Sequence, residues 1–230
     1  MNWGVLWTSR HQLSDGFLVT VQVSTVSLIL SMGLAIVIVL AFQLGIKLVR
    51  LVIRSYIEFM QNVPPVIHVL FIFYALPGMG LRLSALQAGT LGLTVYSSAF
   101  IAEALHSGIR AIDRGQWDAV RSSGLSYIQA MRLVIFPQAL VYALPALTNQ
   151  WIRLVKNTSI LVVIAGSDLM YQAVNLAQLT FAVFEIFIAV WVAYLVITIP
   201  ISRVAYAAEN AIKWRRHHSM RAAIGPVPYA

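Results

Sequence analysis

Cysteine is absent from all 230 residues. That excludes a disulfide framework, thiolate metal sites and thiol catalysis. Charge is scarce as well. Only 10% of residues are charged, and 8 of those are acidic, where a soluble domain carries about 25% charged residues. No G-x-x-x-x-G-K-[ST] loop occurs, so ATP binding by that route is excluded. No H-E-x-x-H or G-x-S-x-G pattern occurs either, and the chain does not read as an enzyme. The opening MNWGVLWTSRHQLSDG lacks the basic start, short apolar run and small-residue cleavage site of a secretory leader. The first apolar run is therefore expected to persist as an anchor.

Apolar residues make up 60% of the chain, more than one water-surrounded core accommodates. Lipid is the natural solvent for the excess. An all-α membrane protein with five crossings is expected, each built on roughly 20 apolar residues. They are placed at Phe17–Phe42, Val66 to about Leu76, about Ser84–Leu105, about Ala139–Val155 with Pro145 inside, and about Ala182–Tyr206. Thr20, Ser24, Ser27, Ser31 and Gly33 are the small or hydroxylic residues that line helix contacts in membranes. Lys47, Arg50 and Arg54 share one face of an amphipathic segment, about 46–61, expected at the membrane boundary. Pro64-Pro65 ends it and starts the next helix. The second crossing is short unless the preceding segment contributes.

The formal charge of +8 follows membrane topology rather than nucleic-acid binding, because the basic residues flank apolar segments and form no stripe with interleaved aromatics. Lys47, Arg50, Arg54, Arg110, Arg114, Arg121 and Arg132 fall on one side with the basic segment from Lys213. Arg10, Arg82, Arg153 and Lys156 are the most the other side receives. Lys and Arg accumulate in cytoplasmic loops, so the N-terminus is expected outside and the C-terminus inside. The tail, residues 213–230, is expected to be loose, and the whole chain is read as a single permease domain.

The polar loop of about 106–137 carries the strongest local signals. Asp113 can cap a short helix that places Trp117, Val120 and Arg121 on one face. Gly124 sits where a helix end favours a left-handed residue. Ser126 and Gln129 make a capping box for the next helix. Pro137 marks its approach to the membrane. Two short helices joined at a glycine are expected.

From Ala102 to Gln138 the chain resembles the signature region of permease subunits in the polar amino-acid uptake family of ABC importers, whose "EAA" loop receives an ATPase. Gly115-Gln116-Trp117, Gly124-Leu125 and Pro137-Gln138-Ala139 match the family's wording. Asp118 replaces a Glu, Val120 an Ala, Ser107 a Gly and Phe136 a Leu. Asn62-Val63-Pro64-Pro65 and Lys156-Asn157-Thr158-Ser159 resemble two further family segments, so the resemblance extends over most of the chain.

The resemblance implies a type I importer permease in a bacterial inner membrane, with a coupling helix formed by Gly115, Gln116, Trp117, Asp118, Ala119, Val120, Gly124, Leu125 and Pro137. It implies a second permease subunit, identical or related, a pair of ABC ATPases, an external substrate-binding protein and a polar amino acid as cargo. ATP and magnesium would belong to the ATPase, and this chain would bind no cofactor. The rival reading, a secondary transporter or channel, predicts inverted repeats. The sequence has none.

Charges at membrane depth are functional candidates. Asn149, Gln150, Arg153, Lys156 and Asn157 lie in or near the fourth crossing. As pathway residues they would offer cations and amides to a carboxylate. As interfacial residues the two cations would snorkel. Glu103 is expected to pair with a neighbouring helix, Glu185 to sit at a helix N-terminus, and His68 to make a helix-contact hydrogen bond.

Overall fold

The computed structural model describes residues 1–224, with side chains through 211. Helices alone make up the regular structure of the described residues: α1 Gly4–Thr8, α2 Arg10–Gln43, α3 Lys47–Asn62, α4 Pro65–Ala75, α5 Ala85–Arg110, α6 Arg114–Ser122, α7 Tyr127–Ala130, α8 Phe136–Asn157, α9 Leu169–Thr180 and α10 Val183–Ile224.

Three helical runs are each long and apolar enough to cross a membrane: Arg10–Gln43, Tyr127–Ile164 and Val183–Ala211. Lys47–Asn62 and Pro65–Met79 form a bent pair, turned by 104° at the break, that is long and apolar enough to cross only if taken together. The cause is Pro64-Pro65. Val63 is held extended before the first proline, and the second opens α4 where a missing N–H is harmless. α3 is amphipathic and leaves α4 nearly at a right angle, as an interfacial helix turning inward should. It does not lengthen the crossing in line.

The third expected crossing corresponds to α5, a helix of 26 residues. It falls short of the others in apolar character because it sits inside the bundle, not against lipid. Leu93, Ala99, Ile101 and Leu105 on it are fully enclosed. Ser27 Oγ donates to the Thr90 carbonyl at 3.3 Å, and the Phe42 and His106 rings meet 4.7 Å apart. These contacts follow the same order along α2 and α5, so the two helices run parallel. Val69 meets Gly92 while His68 meets Tyr96, and Ala139 meets Gly108 while Arg153 meets Phe100, so α4 and α8 each run antiparallel to α5. Close approach through small residues stands in for a hydrophobic driving force that lipid does not provide.

Thr20, Ser24, Ser27 and Ser31 are buried on the inner face of α2, as expected. Gly33 is not part of that seam: it is exposed, and a Cβ there would meet nothing within 4 Å. α10 presents Trp191, Val192, Val196 and Ile199 outward, the mark of a lipid-facing surface.

Two features differ from the sequence reading. Residues 169–180 form a separate helix, α9, capped by Asp168, whose carboxylate accepts from Met170 N at 3.0 Å. The basic segment from Lys213 continues α10 as helix to Ile224, where a loose tail was expected; residues 225–230 lie outside the described residues. His68 is buried between the Phe59 and Tyr96 rings, 5.5 and 5.7 Å away; its ring meets the backbone of Met60 and Val63 at the end of α3, the helix contact expected, while Nε2 has no partner. Glu185 stands in the first turn of α10 as expected and accepts a hydrogen bond from Asn2 N.

Candidate functional site

Two polar regions are linked by one continuous helix. The first is the corner between α5 and α7. Asp113 caps α6, its Oδ1 accepting from Gly115 N at 2.7 Å. Gly124 takes φ +69°, the left-handed conformation that glycine adopts without a Cβ penalty. Ser126 then caps α7: its hydroxyl accepts from Gln129 N at 3.3 Å, while Gln129 Oε1 accepts from Ser126 N at 2.9 Å. All three local signals are realised.

The second arm of the corner differs from expectation. It is not a short helix ending near Pro137. The run from Tyr127 is unbroken, because residues Met131–Ile135 adopt a π-helical turn. Pro137 lacks an N–H, and its ring crowds the carbonyl four residues back. A turn of wider register absorbs both problems and lets the helix continue. The corner is therefore residues 111–126, flanked by the ends of two long helices, and is shorter than the stretch of about 106–137.

Val120 is buried, and Trp117 packs half-buried against the core around Ile109, Ile112, Met131 and Ile135. Trp117 stacks on Tyr127, centroids 6.5 Å apart and planes at 20°. Gln138 Nε2 donates to Gln116 Oε1 at 3.2 Å. These contacts tie α6 to the α7–α8 run. The contacts of Tyr127 and Gln138 with α6 were not foreseen in the sequence, since no local rule links residues 10 or 22 positions apart. Gly115, Gln116, Asp118, Ala119, Gly124 and Pro137 are exposed, and Leu125 is half-buried. With Tyr127 and Ile128, 49% and 77% exposed, the corner offers an apolar patch rimmed by Arg114, Asp118 and Arg121.

The second region lies further along α8. Asn149, Arg153 and Lys156 are exposed on one face, with Asn157, half-buried, at its edge and Gln150, also half-buried, to one side. The Arg153 guanidinium lies 5.4 Å from the centre of the Phe100 ring on α5, within cation–π range. Phe100 continues through Tyr96 to His68, ring to ring at 5.0 and 5.7 Å. An aromatic row thus leads across three helices to a fixed cation.

Residues 33–214 match the model of the family described as "Binding-protein-dependent transport system inner membrane component". The chain is 43% identical over 202 residues to the "Probable glutamine ABC transporter permease protein GlnM" of Bacillus subtilis (strain 168), covering 88% of this chain and 94% of that one. It is 31% identical over 214 residues to the "Glutamine transport system permease protein GlnP" of Escherichia coli (strain K12), covering 92% and 98%. A solved structure, "Crystal structure of an amino acid ABC transporter with histidines", superposes with a TM-score of 0.84 at 32% identity, covering 92% of this chain and 99% of that one. An all-helical bundle, a family match over most of its length and relatives of nearly the same extent agree: the chain belongs to the binding-protein-dependent inner-membrane components, as an ABC importer permease for polar amino acids.

Proposed function

We propose that this chain forms one half of the translocation pathway of an ATP-driven importer and receives an ATPase at the corner of residues 111–126. The observation that carries this reading is mechanical. The exposed corner is pinned through Gln116–Gln138 and Trp117–Tyr127 to the same helix that bears Asn149, Arg153 and Lys156. A groove on an ATPase that moves the corner moves that face with it. ATP hydrolysis belongs to the partner. Its closing and opening rock the helices between two states, an alternating-access cycle.

The exposed face of α8 supports a second permease subunit. Arg153 and Lys156 do not face lipid without large cost, and another copy or relative covers them across a shared pathway. An external binding protein delivers the cargo. The relatives named for glutamine make L-glutamine the first amino acid to try. ATP hydrolysis is measured in lipid with the ATPase and binding protein present, across a panel of amino acids. Stimulation by one amino acid only when the binding protein is present is the expected result. Failure of any ATPase to associate with the chain would sink the docking role.

The charge asymmetry supports a cytoplasmic corner with the N-terminus outside. The natural absence of cysteine makes this directly testable. Ser122 is exposed on α6, and Met79, 74% exposed, lies in the turn before α5. In right-side-out vesicles a membrane-impermeant maleimide is expected to label Met79→Cys and spare Ser122→Cys, with the pattern reversed in inverted vesicles. The opposite pattern would invert the topology.

A further inference from the structure

On the side of α2 that turns away from α5 lies a groove of about 430 Å³. Ile36, Leu40 and Leu44 form one wall, and Ile128, Met131 and Phe136 the other. α2 meets α5 through Ser27 and Phe42 instead, so this wall is its outward one. Leu40, Leu44 and Ile128 are exposed along it. From Ile36 to Leu44 the groove runs about 12 Å, at 1.5 Å per residue. One leaflet of hydrocarbon is about 15 Å deep, half of the roughly 30 Å core. The groove therefore spans most of one leaflet and ends where α2 gives way to the amphipathic α3.

Its mouth is cationic. Arg132 lines the groove from the π turn, exposed, on a stem long enough to carry its charge to the membrane boundary. Arg50 folds back over the turn between α2 and α3, its Nε donating to the Phe42 carbonyl at 3.1 Å. Its charge reaches the hydroxyl of Tyr127, which also lines the groove. Lys47 stands exposed in the first turn of α3. Among the described residues no carboxylate lines the groove, and no ion pair within 4.0 Å neutralises Arg132, Arg50 or Lys47. Glu58 and Glu103 border a separate space beside Val39 and Phe42, on another face of α2. Glu103 makes no ion pair there, where pairing with a neighbouring helix was expected.

The deep part of the groove offers water nothing to bond, while the mouth asks for an anion. One molecule with an apolar tail and a negative head satisfies both. A phosphate suits the planar fork of arginine, and basic pockets between membrane helices on the cytoplasmic side take anionic headgroups in this way. A zwitterionic headgroup would bring an ammonium that finds no carboxylate here. A soluble ATPase cannot follow the groove to Ile36 and Phe136 inside the leaflet. We propose that the groove holds one acyl chain of an anionic phospholipid from the cytoplasmic leaflet, with its phosphate between Arg132 and Arg50. The lipid would lie against the π turn that joins the corner to α8. The assignment rests on the membrane placement of α2 and the cytoplasmic side of the corner, and not on ATPase docking.

The test is photo-crosslinking of the full-length chain in nanodiscs. The probe is phosphatidylglycerol with a diazirine midway along one acyl chain, and phosphatidylcholine with the same chain is the control. Cross-linked peptides are mapped by mass spectrometry. Phosphatidylglycerol is expected to label residues 36–44 and 128–136 several-fold more than phosphatidylcholine does. Arg132→Gln is expected to lower that labelling on the order of tenfold, as loss of a charge-assisted hydrogen bond does. Arg132→Lys keeps the charge and most of the labelling. Leu40→Trp, which fills the groove from α2 without touching an arginine, is expected to lower it too. Arg203→Gln, at an exposed arginine on α10, leaves it unchanged. Labelling of the outward α10 face at Trp191–Ile199 measures ordinary lipid contact and insertion in every sample. Equal groove labelling by the two lipids overturns the proposal. So does labelling that survives both Arg132→Gln and Leu40→Trp, or a groove left unlabelled while α10 is labelled. Groove labelling abolished by added ATPase would make it a protein-docking face and overturn it as well. ATPase association is scored on the same samples, and its failure would count against the docking corner and leave the lipid result standing.

Discussion

Gly124→Asp is expected to abolish ATP-driven uptake while leaving the chain helical and inserted. The first half follows from position. Gly124 is exposed at the turn between α6 and α7, beside Leu125, Tyr127 and Ile128. A carboxylate there enters any groove that closes over the corner. Burying a charge without a partner costs several kcal/mol, and about 3 kcal/mol is already more than a hundredfold in an association constant. The second half follows from the local space. A Cβ at Gly124 would meet nothing within 4 Å, so packing tolerates the new side chain. The left-handed φ of +69° carries a cost of roughly 1–2 kcal/mol for a non-glycine residue, and aspartate is one of the few that visit this region. Uptake into proteoliposomes, circular dichroism and membrane fractionation together decide the matter. Normal uptake by the well-inserted variant would remove the corner from the mechanism. Loss of insertion would show that the turn matters for folding instead.

The second large effect lies inside the bundle. Gly108→Val is expected to prevent accumulation of folded chain. A Cβ at this position would overlap the Ala139 carbonyl oxygen and approach the Ala143 Cβ to 3.0 Å. The nearest obstacle is backbone, which cannot rotate away as a flexible side chain can. α5 and α8 would have to separate along the seam between the corner and the Arg153 face. Overpacking of this kind costs about 1–3 kcal/mol per site and sometimes more, against a total stability of roughly 5–15 kcal/mol. Gly33→Val supplies the contrast, since that glycine has open space around it. Yield and thermal midpoint in detergent are expected to fall sharply for Gly108→Val and to stay level for Gly33→Val. Equal behaviour of the two would refute the close approach of α5 and α8.

The corner was legible because its signals act over a few residues. Asp113, Gly124 and the Ser126–Gln129 box each satisfy backbone groups within one turn, and sequence spacing alone specifies them. Pro137 misled for the same reason. Read locally, proline ends a helix, but here the π turn at Met131–Ile135 lets the helix pass. Composition hid the central place of α5, because a helix walled by other helices needs small residues rather than lipid-facing ones. α9 went unread between two longer apolar runs. The Gln116–Gln138 bond and the groove between α2 and the π turn depend on how distant segments meet, and no periodicity within one segment records that.

The π turn has a consequence for angular phase. A turn closed by i→i+5 bonds takes up one residue more than its α-helical counterpart. Successive residues of an α-helix advance by about 100° around the axis, from 3.6 residues per turn. Everything beyond Phe136 is therefore rotated by about that angle relative to an uninterrupted helix begun at Tyr127. Without the wide turn, the corner would keep its place while Asn149, Arg153 and Lys156 swung a quarter-turn around the bundle. The defect sets the azimuth at which the loop and the charged face are joined.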